Sequence, residues 1–254
     1  MNPLFHDAKL KIQRAVKHIN DLNSILAEFS NRKTHEVVVD HDADGGDDVL
    51  HVVAGEMLPD SFSLTLGDAL HNLRASLDYV IGEIEFSTTG ARNKYTRFPV
   101  DETRDTLIDR IEGGLAKRIP KQVIDCIVEG IRPYKRGAGD FIFSLNEIDI
   151  EDKHRILIAK MEYKYVSGIV LVDEQGKEFR VPIWQIVNDK VSRHCVRGGK
   201  NCKVKNQGQA SFDVLFGDGL PFAGYAIVPA LRNLTKAVAG TVKEIEYWFR
   251  RSQI

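Results

Sequence analysis

The chain has 254 residues, 43% hydrophobic and 28% charged, enough material for one large domain or two small ones with an ordinary core. A formal net charge of −1 excludes a global field that would draw it onto nucleic acid or anionic membrane, so any such binding must come from a local patch. Its three cysteines, Cys126, Cys195 and Cys202, are too few and too scattered for a secreted disulfide scaffold. No apolar run approaches the ~20 residues that cross a bilayer, and the N-terminal stretch becomes charged at once, without an apolar signal core. A cytoplasmic protein with no membrane partner is expected.

In chain order, Phe5, Ala8, Ile12, Ala15, Ile19, Leu22, Leu26 and Phe29 recur at steps of three and four, an apolar seam along one helix. Glu36–Asp40 and Val49–Ala54 flank an Asp/Gly-rich loop and read as a β-hairpin. Leu66, Leu70, Leu73, Leu77, Val80 and Ile84 form a second helical seam. A short helix is expected over 101–112 with Asp101 as its cap. Another begins at Pro120 and ends before Arg132-Pro133. The next, FIFSLNEIDIEDKHRILIAK, would be capped by Asp140, whose carboxylate can accept the free N–H groups of the first turn. Residues 163–217 read as strands: YVSGIVLVD and EFRVPIW around an EQGK turn, then ASFDVLF. A last helix carries Ile227, Leu231, Leu234, Val238, Ile245 and Trp248 on one stripe, with Pro229 in its first turn, where a missing N–H is harmless.

The expected fold class is α+β. It is an antiparallel helical bundle with a β-hairpin and a small antiparallel sheet inserted between the helices. Residues 1–254 are read as a single domain, with the bundle from 1–30, 60–160 and 222–252 and a side sheet from 33–56 and 161–218. Seams of this length could also support a homodimer.

Two polar clusters stand out. His71, Arg74 and Asp78 sit at i, i+3 and i+7, on one helix face beside the Leu70/Leu73/Leu77 seam. In the later helix Phe141, Leu145, Ile148, Ile156 and Ala159 mark the apolar side. Asp152 falls within that side and Asp149 on its edge, and Lys153, His154 and Arg155 follow. A carboxylate on an apolar face needs a partner. Arg74 is therefore expected to meet Asp149 or Asp152, with His71 as the other candidate across the bundle. Asp78 is expected to meet Lys153, His154 or Arg155. One reading of these groups is an interhelical ion-pair network that fixes the bundle's register. A second is a polar site able to hold an anion and move a proton. A third is a metal site on His71, Asp78, Asp152 and His154, although the order lacks HExxH-type spacing.

Three further signals are local. In DHDADGGDD, Asp40, Asp42, Asp44 and Asp48 match the start of a Ca²⁺ loop, but the twelfth position is His51 and the flanks read as strands. A solvated turn explains the same residues. Calcium there is the one cofactor suggested. Lys190, Arg193, Arg197, Lys200, Lys203 and Lys205 follow one another without an acid, the best local candidate for touching phosphates, or a solvated charged loop. A turn at Gly198-Gly199 would set Cys195 opposite Cys202. The loop KRGAGD before Asp140 puts glycines and cations at a helix N-terminus, a place that can hold an anion.

The strings LHNLRASLDYVI (70–81), RFPVD (97–101), IRPYKRG (131–137) and LNEIDIEDKHRIL (145–157) together resemble a family of uncharacterised bacterial proteins. Its members carry LHxLRxxLD, FP, a QPY-like turn and DKHR in that order. More distantly, the helix with Arg74 is similar to HEPN-type ribonucleases, helical bundles with an Arg-x-x-x-x-His-like motif that often act as dimers. Here the histidine position is Tyr79. The resemblance implies binding or cleavage of RNA or a nucleotide. Arg74 would hold a phosphate, His154 or His71 would handle the proton, and Asp78 or Asp152 would orient them. Lys153, Arg155, Asp149, Arg193, Arg197, Lys200 and Lys203 are the candidate binding residues. The alternative is a non-enzymatic interaction protein whose polar clusters are structural ion pairs.

Overall fold

The computed structural model describes residues 4–32, 34–41, 47–91, 93–155, 157, 159–186, 194–196 and 201–254. Helices α1 (His6–Ser30), α2 (Asp60–Thr89), α3 (Arg104–Glu112), α4 (Lys121–Asp125), α5 (Asp140–His154) and α6 (Ile227–Arg251) alternate with strands. The strands are β1 (His35–Asp40), β2 (Val49–Ala54), β3 (Ala159–Val172), β4 (Glu178–Gln185), β5 (His194–Cys195) and β6 (Lys203–Phe216). The chain is mixed α+β, as expected. It divides into two compact units, one of residues 1–23, 60–158 and 216–254, the other of residues 24–59 and 159–215. No helix among the described residues is long and apolar enough to cross a membrane.

In the helical unit α2 is the central element, packed against both α5 and α6. Its seam explains this: Leu66, Leu70, Leu73, Leu77, Val80 and Ile84 are all buried. The α6 stripe of Ile227, Leu231, Leu234, Val238 and Ile245 is buried as well, and Pro229 is the third residue of that helix. Pro120 stands at the N-cap of α4, which widens into one π turn over Cys126–Ile131. The Arg132 N–H closes the turn on Ile127 O at 2.8 Å, and Arg132 itself is left-handed. A Cβ on Gly139 would fall 2.6 Å from Ile131 O, so glycine at that position lets the loop before α5 lie against the end of the π turn.

Three boundaries differ from the expectation. The α3 cap is Thr103, which accepts Thr106 N–H while the Thr106 hydroxyl accepts Thr103 N–H. Asp101 instead accepts Arg110 Nε at 2.6 Å and the Glu102 N–H at 3.0 Å. Asp140 is the first residue of α5, not its cap, because its carboxylate turns back to accept Arg136 N–H at 2.9 Å. Finally α5 stops at His154, and Ala159 and Lys160 already belong to β3.

In the second unit the strand orders are β1-β2-β5 and β4-β3-β6. The expected hairpin pairs His35 with Ala54 through Asp40 with Val49, and β5 extends it, Cys195 lying opposite Val49. The β3–β4 ladder runs from Tyr165↔Gln185 to Val172↔Glu178. It skips Gly168 and Pro182, because proline has no N–H to give. Val37, Leu50, Val166, Ile169, Leu171, Val181, Trp184, Val196 and Cys202 make one shared core. Gln207 of β6 reaches β1: its Oε1 accepts Val37 N–H at 2.5 Å and its carbonyl meets His35 Nε2 at 3.0 Å.

Candidate functional site

A cleft of about 820 Å3 opens in the helical unit. Its walls come from α2, the segment 95–102, α3 with the turn after it, and α5. These carry three of the four strings quoted above, and the fourth, IRPYKRG, is joined to the wall segment 95–102: Asp101 forms a parallel bridge with Tyr134, and its N–H donates to Pro133 O at 3.3 Å.

Arg74 is 6% exposed and its guanidinium is held on three sides. Nη1 donates to Asp78 Oδ1 at 2.5 Å, Nε to Asn146 Oδ1 at 2.9 Å, and Nη2 to the Phe98 carbonyl at 3.1 Å. The same Asp78 oxygen accepts the Phe98 N–H at 2.8 Å. The pairing expected of Arg74 with Asp149 or Asp152 is thus corrected. Asp78 lies one helical turn away on α2 and reaches Arg74 first, while an amide on α5 completes the shell. Asp78 likewise does not meet Lys153, His154 or Arg155; its second oxygen stands 3.9 Å from Arg97 Nη1.

Asp149, 4% exposed, is the buried acid of α5. The face packed inward is Ile142, Leu145, Ile148 and Asp149, rotated from the expected one, so Asp149 and not Asp152 sits deepest. It accepts His71 Nδ1–H at 2.9 Å and Lys153 Nζ at 2.5 Å. The carboxylate oxygen is the acceptor of this contact, so the shared hydrogen belongs to His71 Nδ1. The expected reach of His71 across the bundle is what the structure has.

Asp152 is half-buried and rests against α2. A Cβ on Gly67 would fall 2.6 Å from its Cγ, so the small residue makes room for the carboxylate. Burial first, then the neighbouring Asp149 and Asp68, push its pKa up, against a smaller pull from His71 and Lys153. Arg155, just past the end of α5, pairs with Glu151 of that helix, and His154 is exposed at the helix end. Of the residues expected at the site, Arg74, Asp78, Asp149 and Lys153 line the cleft. His71, Asp152, His154 and Arg155 do not.

Sequence reading missed Arg97, Arg110, Arg118 and Asn146, which also line it. Asn146, Asp149 and Lys153 fall at i, i+3 and i+7, the spacing of His71, Arg74 and Asp78, and that matched spacing was the available signal for Asn146. Arg118 is fixed by Glu85 at 2.6 Å and by Gly114 O at 3.0 Å.

The remaining candidates lie in the second unit. Asp42, Asp44, Arg193, Arg197 and Lys200 fall outside the described residues, as does the Gly198-Gly199 turn. Asp40 stands 3.0 Å from His51 Nδ1. Asp48 is turned inward, accepting Cys202 N–H at 2.6 Å and His41 Nδ1–H at 2.9 Å. Burial alone would raise its pKa, but these donors outweigh it and hold the carboxyl below its ordinary value. Among the described residues no group of three His, Cys, Asp or Glu side chains is arranged to hold a metal ion. Lys203 is exposed at the start of β6. Cys202 is a free thiol raised to about 11 by burial and by Asp48, and Cys126 is raised to about 12 by burial. Neither is an activated nucleophile, because the thiolate is the reactive form.

Compared with family models, characterised proteins and solved structures, the chain matches none.

Proposed function

We propose that the helical unit binds a phosphate-bearing ligand, RNA or a nucleotide, in the cleft between α2 and α5. One observation carries this reading. Five basic side chains, Arg74, Arg97, Arg110, Arg118 and Lys153, line a single cleft together with five carboxylates, Asp78, Asp101, Glu102, Glu147 and Asp149. Guanidinium forks gathered in one concave place bind a compact anion through directed hydrogen bonds even where the net charge is balanced. Arg74 is a positioning residue here: three of its N–H groups face protein acceptors, so it shapes the wall that the other cations line.

Cleavage of a phosphodiester needs a group that moves a proton. Of the two histidines His71 has the oriented ring, held by the buried carboxylate of Asp149; it contacts that cleft-lining residue but does not line the cleft itself, so the site supports binding ahead of cleavage. On this reading the HEPN-like resemblance extends to a bundle whose histidine lies one turn before the arginine and not after it.

A second reading is a non-enzymatic interaction protein, favoured by the engagement of the buried Arg74 with Asp78, Asn146 and the Phe98 carbonyl. The two separate in a binding experiment. A fluorescently labelled single-stranded RNA and a labelled nucleoside diphosphate are titrated with wild-type protein and with Arg97→Glu, followed by anisotropy. Binding of either probe that Arg97→Glu abolishes supports the cleft reading. No binding of either probe overturns it. Unlabelled RNA incubated with and without chelator then reports cleavage, with His71→Gln as the control.

A further inference from the structure

Resting on the phosphate-binding reading, we infer that the cleft is shaped for a single nucleotide and not for the polyanionic backbone of an RNA chain. Three of the lining cations are engaged inside the protein: Arg74 by Asp78, Asn146 and the Phe98 carbonyl, Arg118 by Glu85 and Gly114 O, and Lys153 by Asp149. Asp78, Asp101 and Asp149 are engaged in turn.

What remains facing the cleft is balanced. Arg97 has a side chain 69% exposed and comes no nearer than 3.9 Å to the carboxylate of Asp78. Arg110, 61% exposed, uses only Nε on Asp101 and leaves both terminal amino groups free. Opposite in sign, Glu102 and Glu147 line the same space and are exposed. Two guanidinium forks against two carboxylates leave no surplus positive charge. A surface that tracks a nucleic-acid backbone needs such a surplus, one cation after another along the strand.

The remaining groups match a mononucleotide. A terminal phosphate is a compact anion that a guanidinium fork binds through two parallel hydrogen bonds. Ribose hydroxyls and base amino groups are donors, which carboxylates accept. Tyr95 and Phe143, both in the lining, offer aromatic faces to a base. The volume of about 820 Å3 lies within the ordinary range of small-molecule sites, roughly 300–1,000 Å3.

The test is isothermal titration of the full chain with ADP, GDP, CDP and UDP in turn and with a short single-stranded RNA, at low and at physiological salt. At least one diphosphate binds one-to-one and more tightly than the RNA. Arg97→Ala, at an exposed position with no close internal partner, weakens it about tenfold or more, the scale of a lost charge-assisted contact. Arg110→Lys keeps a charge beside Asp101 but loses the fork, and it weakens binding too, while the urea midpoint stays at the wild-type value. RNA that binds more tightly than every diphosphate, with affinity falling steeply in salt, overturns the single-nucleotide inference and leaves the phosphate-binding reading standing. No binding by any probe overturns both.

Discussion

Arg74 and Asp78 hold one residue from both sides. Asp78 Oδ1 accepts the Phe98 N–H at 2.8 Å, Arg74 Nη2 donates to the Phe98 carbonyl at 3.1 Å, and the two side chains close on each other at 2.5 Å. One turn of α2 thereby fixes the backbone of the segment 95–102, which forms a wall of the cleft. The Arg and Asp of LRASLD and the Phe of RFPVD are parts of a single clamp, and Asn146 of α5 is its fourth member.

Arg74→Ala is expected to lower stability by about 3–5 kcal/mol, because it leaves Asp78 charged without its partner and a buried carbonyl unsatisfied. The urea midpoint falls while the denaturant slope is unchanged. Arg74→Lys fails to restore it, since one ammonium cannot span three acceptors set around a planar fork. A midpoint within about 0.5 kcal/mol of wild type, the range of ordinary surface changes, would show that the clamp is not engaged in solution.

Asp152→Asn is expected to stabilise the protein at neutral pH. The folded-state pKa of Asp152 is raised, first by burial and then by Asp149 and Asp68. Above its ordinary value, near ~3.9, the unfolded chain ionises this group more readily than the folded one, so stability falls as pH rises through the window up to the folded pKa. The amide removes that cost. The difference in urea midpoint between variant and wild type is therefore present at pH 7 and disappears below pH ~3.9. A gain that persists in acid would point to packing instead.

Asp48→Asn is expected to act in the opposite sense. The folded pKa is depressed, because the Cys202 N–H and His41 outweigh the upward push of burial. The stabilisation is therefore present above the ordinary value of ~3.9 and lost as pH falls through the folded pKa. Thermal melts from pH 7 to pH 2 should show wild type losing its advantage over the variant only at the acid end. Equal melting temperatures throughout would contradict this assignment.

Thr103→Ala removes the side chain that accepts Thr106 N–H and is expected to cost about 0.5–2 kcal/mol, the range for a lost helix cap. Asp101→Asn acts through Arg110 and also through Thr106, the partner of Thr103, so the two changes should be non-additive in urea unfolding. A Thr103→Ala variant of wild-type stability would mean that the α3 N-terminus is satisfied by water.

The helices were legible because their seams repeat at the helical period over many turns, and the strands of β1, β2, β3 and β4 because of their alternation and turn residues. The end of α5 was not. DKHRILIAK has no helix breaker, and nothing local reports that Ala159 is drawn into β3, whose neighbours β4 and β6 are supplied by tertiary structure. The caps failed for a related reason. Asp101 and Asp140 are chemically able to cap, but each found a stronger or nearer donor, Arg110 and the Arg136 N–H. At the site, spacing correctly placed His71, Arg74 and Asp78 on one helix face and drew attention to Asp149. It could not show that the acceptor completing Arg74 is the backbone carbonyl of Phe98, since a main-chain group leaves no residue-type signal. Arg97 and Arg110 were invisible for a different reason. Exposed arginines are common, and only the fold brings these two to the same cleft.

Hydrogen–deuterium exchange with and without a saturating nucleoside diphosphate, and separately with a short single-stranded RNA, locates the bound ligand, because amide protection reports locally where a ligand orders the structure. The cleft reading predicts new protection confined to α2 near Arg74 and Asp78, the segment 95–102, and α5 near Asn146 and Asp149, with β1 through β6 unchanged. Protection that appears instead in the strands, or in neither unit with either ligand, would contradict it.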